Sequence, residues 1–247
     1  MRRLLFIFLL VSVNVFAQEK LYEKEGAWYR SDTTQKAIYL IFTGHDFDEG
    51  FPFVMKTLNE EKVKASFFLT GTFVQKHRRL IKDIMAEGHF VGPHSDRHLL
   101  YCDWVKRDSL LVSEKELKHD YLRNLKRLNK LGIFTNLFMP PYEWYNRQVN
   151  DLLKKSFGVE LVNFTPGTSS NADYTTPNVV NYKSSQEIYD RIIDYEAVKG
   201  LNGFHLLIHP GTDPERTDKF YLRLPDLLNE LKTKGYRFER FNESSGN

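Results

Sequence analysis

His94-Ser95-Asp96-Arg97-His98 carries two imidazoles four positions apart. Placed on one helical turn, two such side chains face the same way and can reach one metal ion. Ser95 stands where a zincin would carry Glu as general base, so the pair does not read as that motif. His209-Pro210-Gly211-Thr212-Asp213 follows the apolar run Phe204-His205-Leu206-Leu207-Ile208. Strand alternation places His205 and His209 on one face with only His209 at the strand end, which makes His209 the general-acid candidate and His205 a lining histidine. Pro140 and Pro141 stiffen a turn expected to present Tyr142, Glu143 and Trp144 at a mouth. Rings there can stack on a pyranose or pack under the loop. Finally, Phe42 to Gly50 gathers His45 with Asp46, Asp48 and Glu49, donor types that suit hard or borderline metals as well as a solvated acidic loop.

These points need elements to hold them. β-branched and aromatic runs alternate with stretches of helical period from Ala37 onward, which predicts βαβ units around a parallel sheet. Strands are expected at Ala37–Thr43, Ala65–Thr70, His89–Pro93, Ile133–Met139, Val159–Phe164, Gly203–His209 and Tyr236–Arg240. Helices are expected near Phe51–Glu61, Phe73–Glu87, Ser113–Leu131, Asn146–Ser156, Ser184–Lys199 and Tyr221–Lys234, several closed by Gly. The architecture that follows is one α/β barrel, in which chemistry sits where strands end, as all four polar points do.

The 247 residues are 41% hydrophobic and 27% charged, with one Cys, which excludes a disordered chain and a disulfide framework. The lone Cys102 reads as a small buried hydrophobe. Arg2 and Arg3, the apolar stretch Leu4 to Val13 and Val15-Phe16-Ala17 read as a secretory signal peptide cleaved after Ala17, with an uncleaved anchor as the rival. A secreted or periplasmic location is expected, and Gln18 in place of a Cys directly after Ala17 argues against a lipid anchor. The formal charge is +3, two units of it from the leader, so nothing suggests a nucleic-acid partner. No later segment is apolar enough to span a membrane. The expected organisation is leader 1–17, lead-in 18–35, one barrel at 36–241 and a tail at 242–247.

Gly88-His89-Phe90-Val91-Gly92-Pro93-His94-Ser95-Asp96-Arg97-His98 is similar to the Gly-His-Glu-Ile-Gly-x-His-Ser/Thr-x-x-His stretch of the polysaccharide deacetylases, carbohydrate esterase family 4 with the NodB-like homology domain. Lys64-Ala65-Ser66-Phe67-Phe68 matches that family's Lys-Ala-Thr-Phe-Phe strand; Pro140-Pro141-Tyr142 resembles its third motif and Leu206-Leu207-Ile208-His209 its last. The resemblance implies a single-domain distorted (β/α)7 barrel of the glycoside hydrolase/deacetylase type. It also implies His94 and His98 as ligands of a divalent metal, often zinc, and His209 as catalytic histidine. The substrate class it implies is an acetylated polysaccharide or oligosaccharide.

The departures are specific. The family's paired aspartates, base and third metal ligand, align with Thr43 and Gly44, and the motif-three Arg that contacts the base is Met139. An Arg without its carboxylate would be an unpaired buried charge, so the two losses are coherent. Aligning Phe47-Asp48-Glu49-Gly50 instead would restore the acids but needs a deletion of about five residues, long for a βα loop. The Asp-x-x-Asp-Trp motif has only Phe164-Thr165-Pro166-Gly167-Thr168 in its place. The expected rebuilding uses Asp46, with His45, Asp48 or Glu49 as rivals, as third ligand, and Glu143 as base. Asp213, Arg216 and Asp218 would orient His209, while Tyr142 and Trp144 bind substrate. Two other readings are a glycan-binding protein that has lost catalysis and a metal-dependent hydrolase of non-peptide C–N bonds in small molecules.

Overall fold

The computed structural model describes residues 21–242. The leader, the first residues of the lead-in and all of the tail but Asn242 lie outside the described residues. In chain order the strands are β1 (Tyr22–Lys24), β2 (Ala27–Arg30), β3 (Ala37–Gly44), β4 (Ser66–Leu69), β5 (Phe90–Pro93), β6 (Leu137–Phe138), β7 (Glu160–Leu161), β8 (Phe204–Ile208) and β9 (Arg237–Glu239). The helices are α1 (Phe51–Glu60), α2 (Gly71–Lys76), α3 (Arg78–Ala86), α4 (Glu114–Asn129), α5 (Arg147–Phe157), α6 (Ser185–Lys199) and α7 (Leu224–Thr233).

The main sheet runs β1-β2-β8-β3-β4-β5, with β9 alongside the start of β3. β8, β3, β4 and β5 are mutually parallel, while β6 pairs in parallel with β7 as a separate ribbon. The ribbon bridges the edges of the curled sheet. Met139 N donates to Pro93 O at 3.2 Å on one side, and Asn163 N donates to Trp28 O at 2.7 Å on the other. The result is the expected distorted barrel, in one domain.

The hairpin β1–β2, within the expected lead-in 18–35, supplies one of those edges. β6 and β7 are two residues each, much shorter than Ile133–Met139 and Val159–Phe164. Both are stitched partly by isolated bonds to other segments, as at Trp28 and Val162, so extended backbone there does not register as a continuous ladder. The single helix expected over Phe73–Glu87 is two. His77, at φ −118° and ψ 38°, breaks the run, and its Nδ1 lies 3.1 Å from Asp48.

Local chemistry explains the other boundaries. Ser113 and Glu116 form a reciprocal capping box at α4, and Thr70, Asn146 and Ser184 accept amide protons at the starts of α2, α5 and α6. α5 ends at Gly158 in the left-handed region. One core joins Leu40, Phe42 and Leu206 to Phe51, Ile81 and Leu227 of the surrounding helices, and each such burial contributes about 1.5–3 kcal/mol. Cys102 is buried and free. Among the described residues no helix is long and apolar enough to cross a membrane.

Candidate active site

His94 follows β5, its amide donating to Asn124 Oδ1 of α4 at 2.8 Å. Its Nδ1 lies 2.9 Å from Met139 O. A carbonyl only accepts, so Nδ1 carries the proton and Nε2 presents a lone pair. The segment to His98 is not the expected helical turn. Ser95 and His98 have left-handed backbones, with φ 68° and 56°, and the tight turn they make brings the two Nε2 atoms to 3.2 Å. Ser95 Oγ accepts from His98 N at 2.9 Å, and Asp96 points to α4, where Arg127 Nε lies 2.6 Å away.

The Tyr142 amide donates to His98 Nε2 at 3.4 Å, which leaves no proton on either facing Nε2. Burial lowers the His94 pKa to about 3 despite its bond to Met139; burial and the neighbouring His94 and His45 hold His98 far below its ordinary value. Two lone pairs this close repel unless a cation or a proton lies between them. Two neutral imidazoles so disposed fit a divalent cation. The donor set is incomplete, since among the described residues no three of His, Cys, Asp and Glu form a group able to hold a metal.

The β3 end accounts for that shortage. A Cβ on Gly44 would stand 2.8 Å from Leu69 Cδ2 and 3.0 Å from Phe51 Cζ, so apolar side chains fill the space a longer residue would need. His45 stacks on His98 at 4.4 Å between centroids, and its Nε2 lies 3.3 Å from Asp46 Oδ2. Asp46 itself is 60% exposed. Asp48 faces His77, and Glu49 Oε1 accepts from Thr212 N and from Lys219 Nζ at 3.0 and 3.1 Å.

Glu143 is not at the mouth. Tyr142 and Glu143 take consecutive left-handed conformations, φ 58° and 53°, after Pro140-Pro141, at a cost of order 1–2 kcal/mol each. This turn sends the Glu143 side chain inward, where it is 8% exposed and Oε1 lies 3.6 Å from His94 Nε2. Asn163 Nδ2 secures the turn by donating to Glu143 O at 2.9 Å. Burial pushes the Glu143 carboxyl up to about 7, against the opposing charge of His209. Trp144 is half-buried too, its Nε1 donating to Asp103 O at 3.1 Å under the guanidinium of Arg107. Of the three, only Tyr142 is exposed.

His209 follows β8. Its imidazole is oriented by Asp173 and not by the three residues expected from sequence. Nδ1–H donates to Asp173 Oδ1 at 2.6 Å, and the His209 amide donates to Oδ2 at 2.7 Å. Nε2 is thereby the free nitrogen. Burial alone would lower this pKa, but the charge and hydrogen bond of Asp173, with Glu143 behind them, raise it overall. Asp213 accepts from Glu215 N, and Asp218 from Ser185 N. Arg216, fully buried, donates to Thr175 O and Lys183 O and so braces the loop that carries Asp173. His205, lining the barrel as expected, donates from Nδ1 to Asn163 O at 2.7 Å.

Asp173 was the residue sequence reading missed. Asp173-Tyr174 resembles the closing Asp-Trp of the family's Asp-x-x-Asp-Trp pattern and lies a few residues beyond Phe164–Thr168. A cavity of about 680 Å³ bordered by Arg30, Thr165 and Tyr195 is not part of this site.

Residues 30–162 match the polysaccharide deacetylase family model. The chain is 40% identical over 229 residues to the peptidoglycan-N-acetylmuramic acid deacetylase of Bacillus subtilis, an alignment covering 90% of this chain and 76% of that protein. Among solved structures, a peptidoglycan N-acetylglucosamine deacetylase superposes with a TM-score of 0.70 at 22% identity, over 86% of this chain and 89% of the other. A carbohydrate esterase family 4 pseudoenzyme from Bacillus anthracis superposes with the same score, 0.70, at 20% identity, over 89% and 68%. On these matches the chain belongs to the polysaccharide deacetylase family.

Proposed function

We propose that this chain is a secreted, metal-dependent carbohydrate deacetylase that hydrolyses N- or O-linked acetyl groups of a polysaccharide or oligosaccharide. The observation that carries the reading is the assembly of three kinds of group at one strand-end site: the facing Nε2 atoms of His94 and His98, the buried Glu143 carboxyl, and the Asp173–His209 dyad. The leader supports export. Peptidoglycan is the substrate class named for the relatives, and it suits an exported enzyme.

His94 and His98 would hold a divalent ion such as zinc. Such an ion, when bound, polarises a carbonyl and lowers the pKa of water toward ~7. Glu143, with its carboxyl near 7, takes the proton from the attacking water. The Tyr142 amide donates to His98 Nε2 in this structure; with that lone pair taken by an ion, the amide would be left to offer a hydrogen bond to the developing oxyanion. His209, whose pKa Asp173 raises, delivers a proton from Nε2 to the departing amine or alkoxide.

A second reading, a glycan-binding protein without catalysis, is favoured by the apolar filling at Gly44 and the incomplete donor set. Acetate release from acetylated glycan strands by the mature chain supplied with zinc, compared with His94→Ala, tests the choice. Release in the wild type and its loss in the variant support the deacetylase. No release from a chain that retains stoichiometric zinc supports the binder.

A further inference from the structure

The segment between β5 and α4 projects a tryptophan that none of the family's motifs uses. Trp104 is 53% exposed, yet its ring is fixed from two sides: Tyr142 meets it edge-on at 5.7 Å and Trp144 packs at 5.3 Å. The support behind it is layered. Trp144 is itself held by Arg107, whose guanidinium lies 4.1 Å over the ring while its Nε donates to Tyr145 O at 2.6 Å. Asp103, the residue before Trp104, accepts Trp144 Nε1 on its carbonyl and the amides of Val105 and Lys106 on its side chain. The loop is closed on itself by Asp103 N to Ser109 O at 2.9 Å and the bridge of Cys102 with Leu110.

Nothing in the core requires this construction, because Trp104 ends at the surface. What it does provide is continuity with the site. The Tyr142 ring that abuts Trp104 also lies 4.3 Å from the His98 ring, so the indole is one aromatic contact removed from the facing imidazoles. A large, rigid, exposed ring beside a polar site suits a ligand with an apolar face and a polar rim. A pyranose has that character, with axial C–H groups on its face and hydroxyls around its edge.

We propose that Trp104 is a sugar-stacking subsite, which takes the pyranose next to the acetylated one, with Trp144 and Arg107 as its positioning residues. The inference rests on the carbohydrate reading above and sharpens it, since the preferred ligand becomes a chain of several sugars. Because the indole is already held, stacking on it loses little side-chain entropy. Tyr142 then has two parts: its amide serves the reacting centre and its ring buttresses the platform.

The test is calorimetric binding of peptidoglycan glycan strands, and of the disaccharide prepared from them, to wild type, Trp104→Ala and Trp104→Phe, with acetate release from the same samples. Trp104→Ala weakens strand binding about tenfold and disaccharide binding less, while Trp104→Phe recovers most of the loss. Thermal melts establish that each variant is folded. Equal strand affinity in wild type and Trp104→Ala overturns the subsite and leaves the deacetylase reading standing. Acetate release with no dependence on chain length has the same meaning. A wild type that neither binds strands nor releases acetate removes both.

Discussion

The ends of β8 and β3 face the same site and have been built in opposite ways. After β8, His209 donates two hydrogen bonds to one buried carboxylate, and that carboxylate's loop is braced by the buried Arg216. At the end of β3, Gly44 is closed in by Leu69, Phe51 and Phe73, and the following acids are engaged with His45, His77, Thr212 and Lys219. A buried acid–imidazole pair therefore stands at one strand end, and apolar side chains with surface ion pairs at the other. A buried charge is stable only with its partners, and each region is self-consistent: His209 and Asp173 are present together after β8, while Gly44 at the end of β3 and Met139 after β6 are both uncharged.

The largest effects come from breaking the built half. His209→Ala lowers the turnover number for acetate release by about 10²–10⁴. An unchanged rate would remove His209 from the chemistry. Asp173→Asn acts through the pH profile. As general acid, His209 must be protonated, so the rate falls as pH rises through its folded pKa, which Asp173 places above 6.5. Removing that charge moves the limb to lower pH, so the deficit at pH 8 exceeds that at pH 6, measured as kcat against pH. The same shift has a stability side: the contribution of the dyad is full below the unfolded pKa of 6.5 and fades as pH rises through the raised folded value.

The β3 end is probed by reversing its loss. Gly44→Asp restores a carboxylate but drives Cβ against Leu69 and Phe51, and it should destabilise the protein by about 1–3 kcal/mol without gain of metal. Urea unfolding and elemental analysis measure both effects. A stable variant with increased zinc would mean that the apolar filling yields readily.

The last effect concerns His205, beneath the site, and is seen only in acid. Its burial lowers its pKa to about 4 against an ordinary 6.5, so the folded chain resists a proton that the unfolded chain accepts. Stability is full above 6.5 and declines by up to roughly 3 kcal/mol as pH falls toward 4. Denaturation midpoints that stay level from pH 7 to 4.5 would show that His205 accepts the proton without cost.

The barrel and most helices were legible because apolar periodicity and caps at Ser113, Asn146 and Ser184 are local signals. The hairpin β1–β2 was not, because its role depends on pairing Arg30 with Phe204, far along the chain. Within the site, His94, His98 and His209 could be read from strand-end position and family likeness. The inward turn of Glu143 could not, because it depends on two consecutive left-handed residues whose types give no hint of that conformation. Asp173 was hidden in a long loop where spacing carries little information. Asp213, Arg216 and Asp218 were nearer in sequence, but Arg216 and Asp218 serve that loop and Asp213 its own turn.

The proposal puts proton abstraction on Glu143, beside two imidazoles, His94 and His98, that would hold the ion. The most direct measurement is acetate release by wild type and Glu143→Gln, with the zinc content of each sample determined alongside. The account predicts release by the wild type, and in the variant a loss of about 100-fold or more with zinc retained. Equal rates in the two proteins would contradict it, as would a zinc-loaded wild type that releases no acetate.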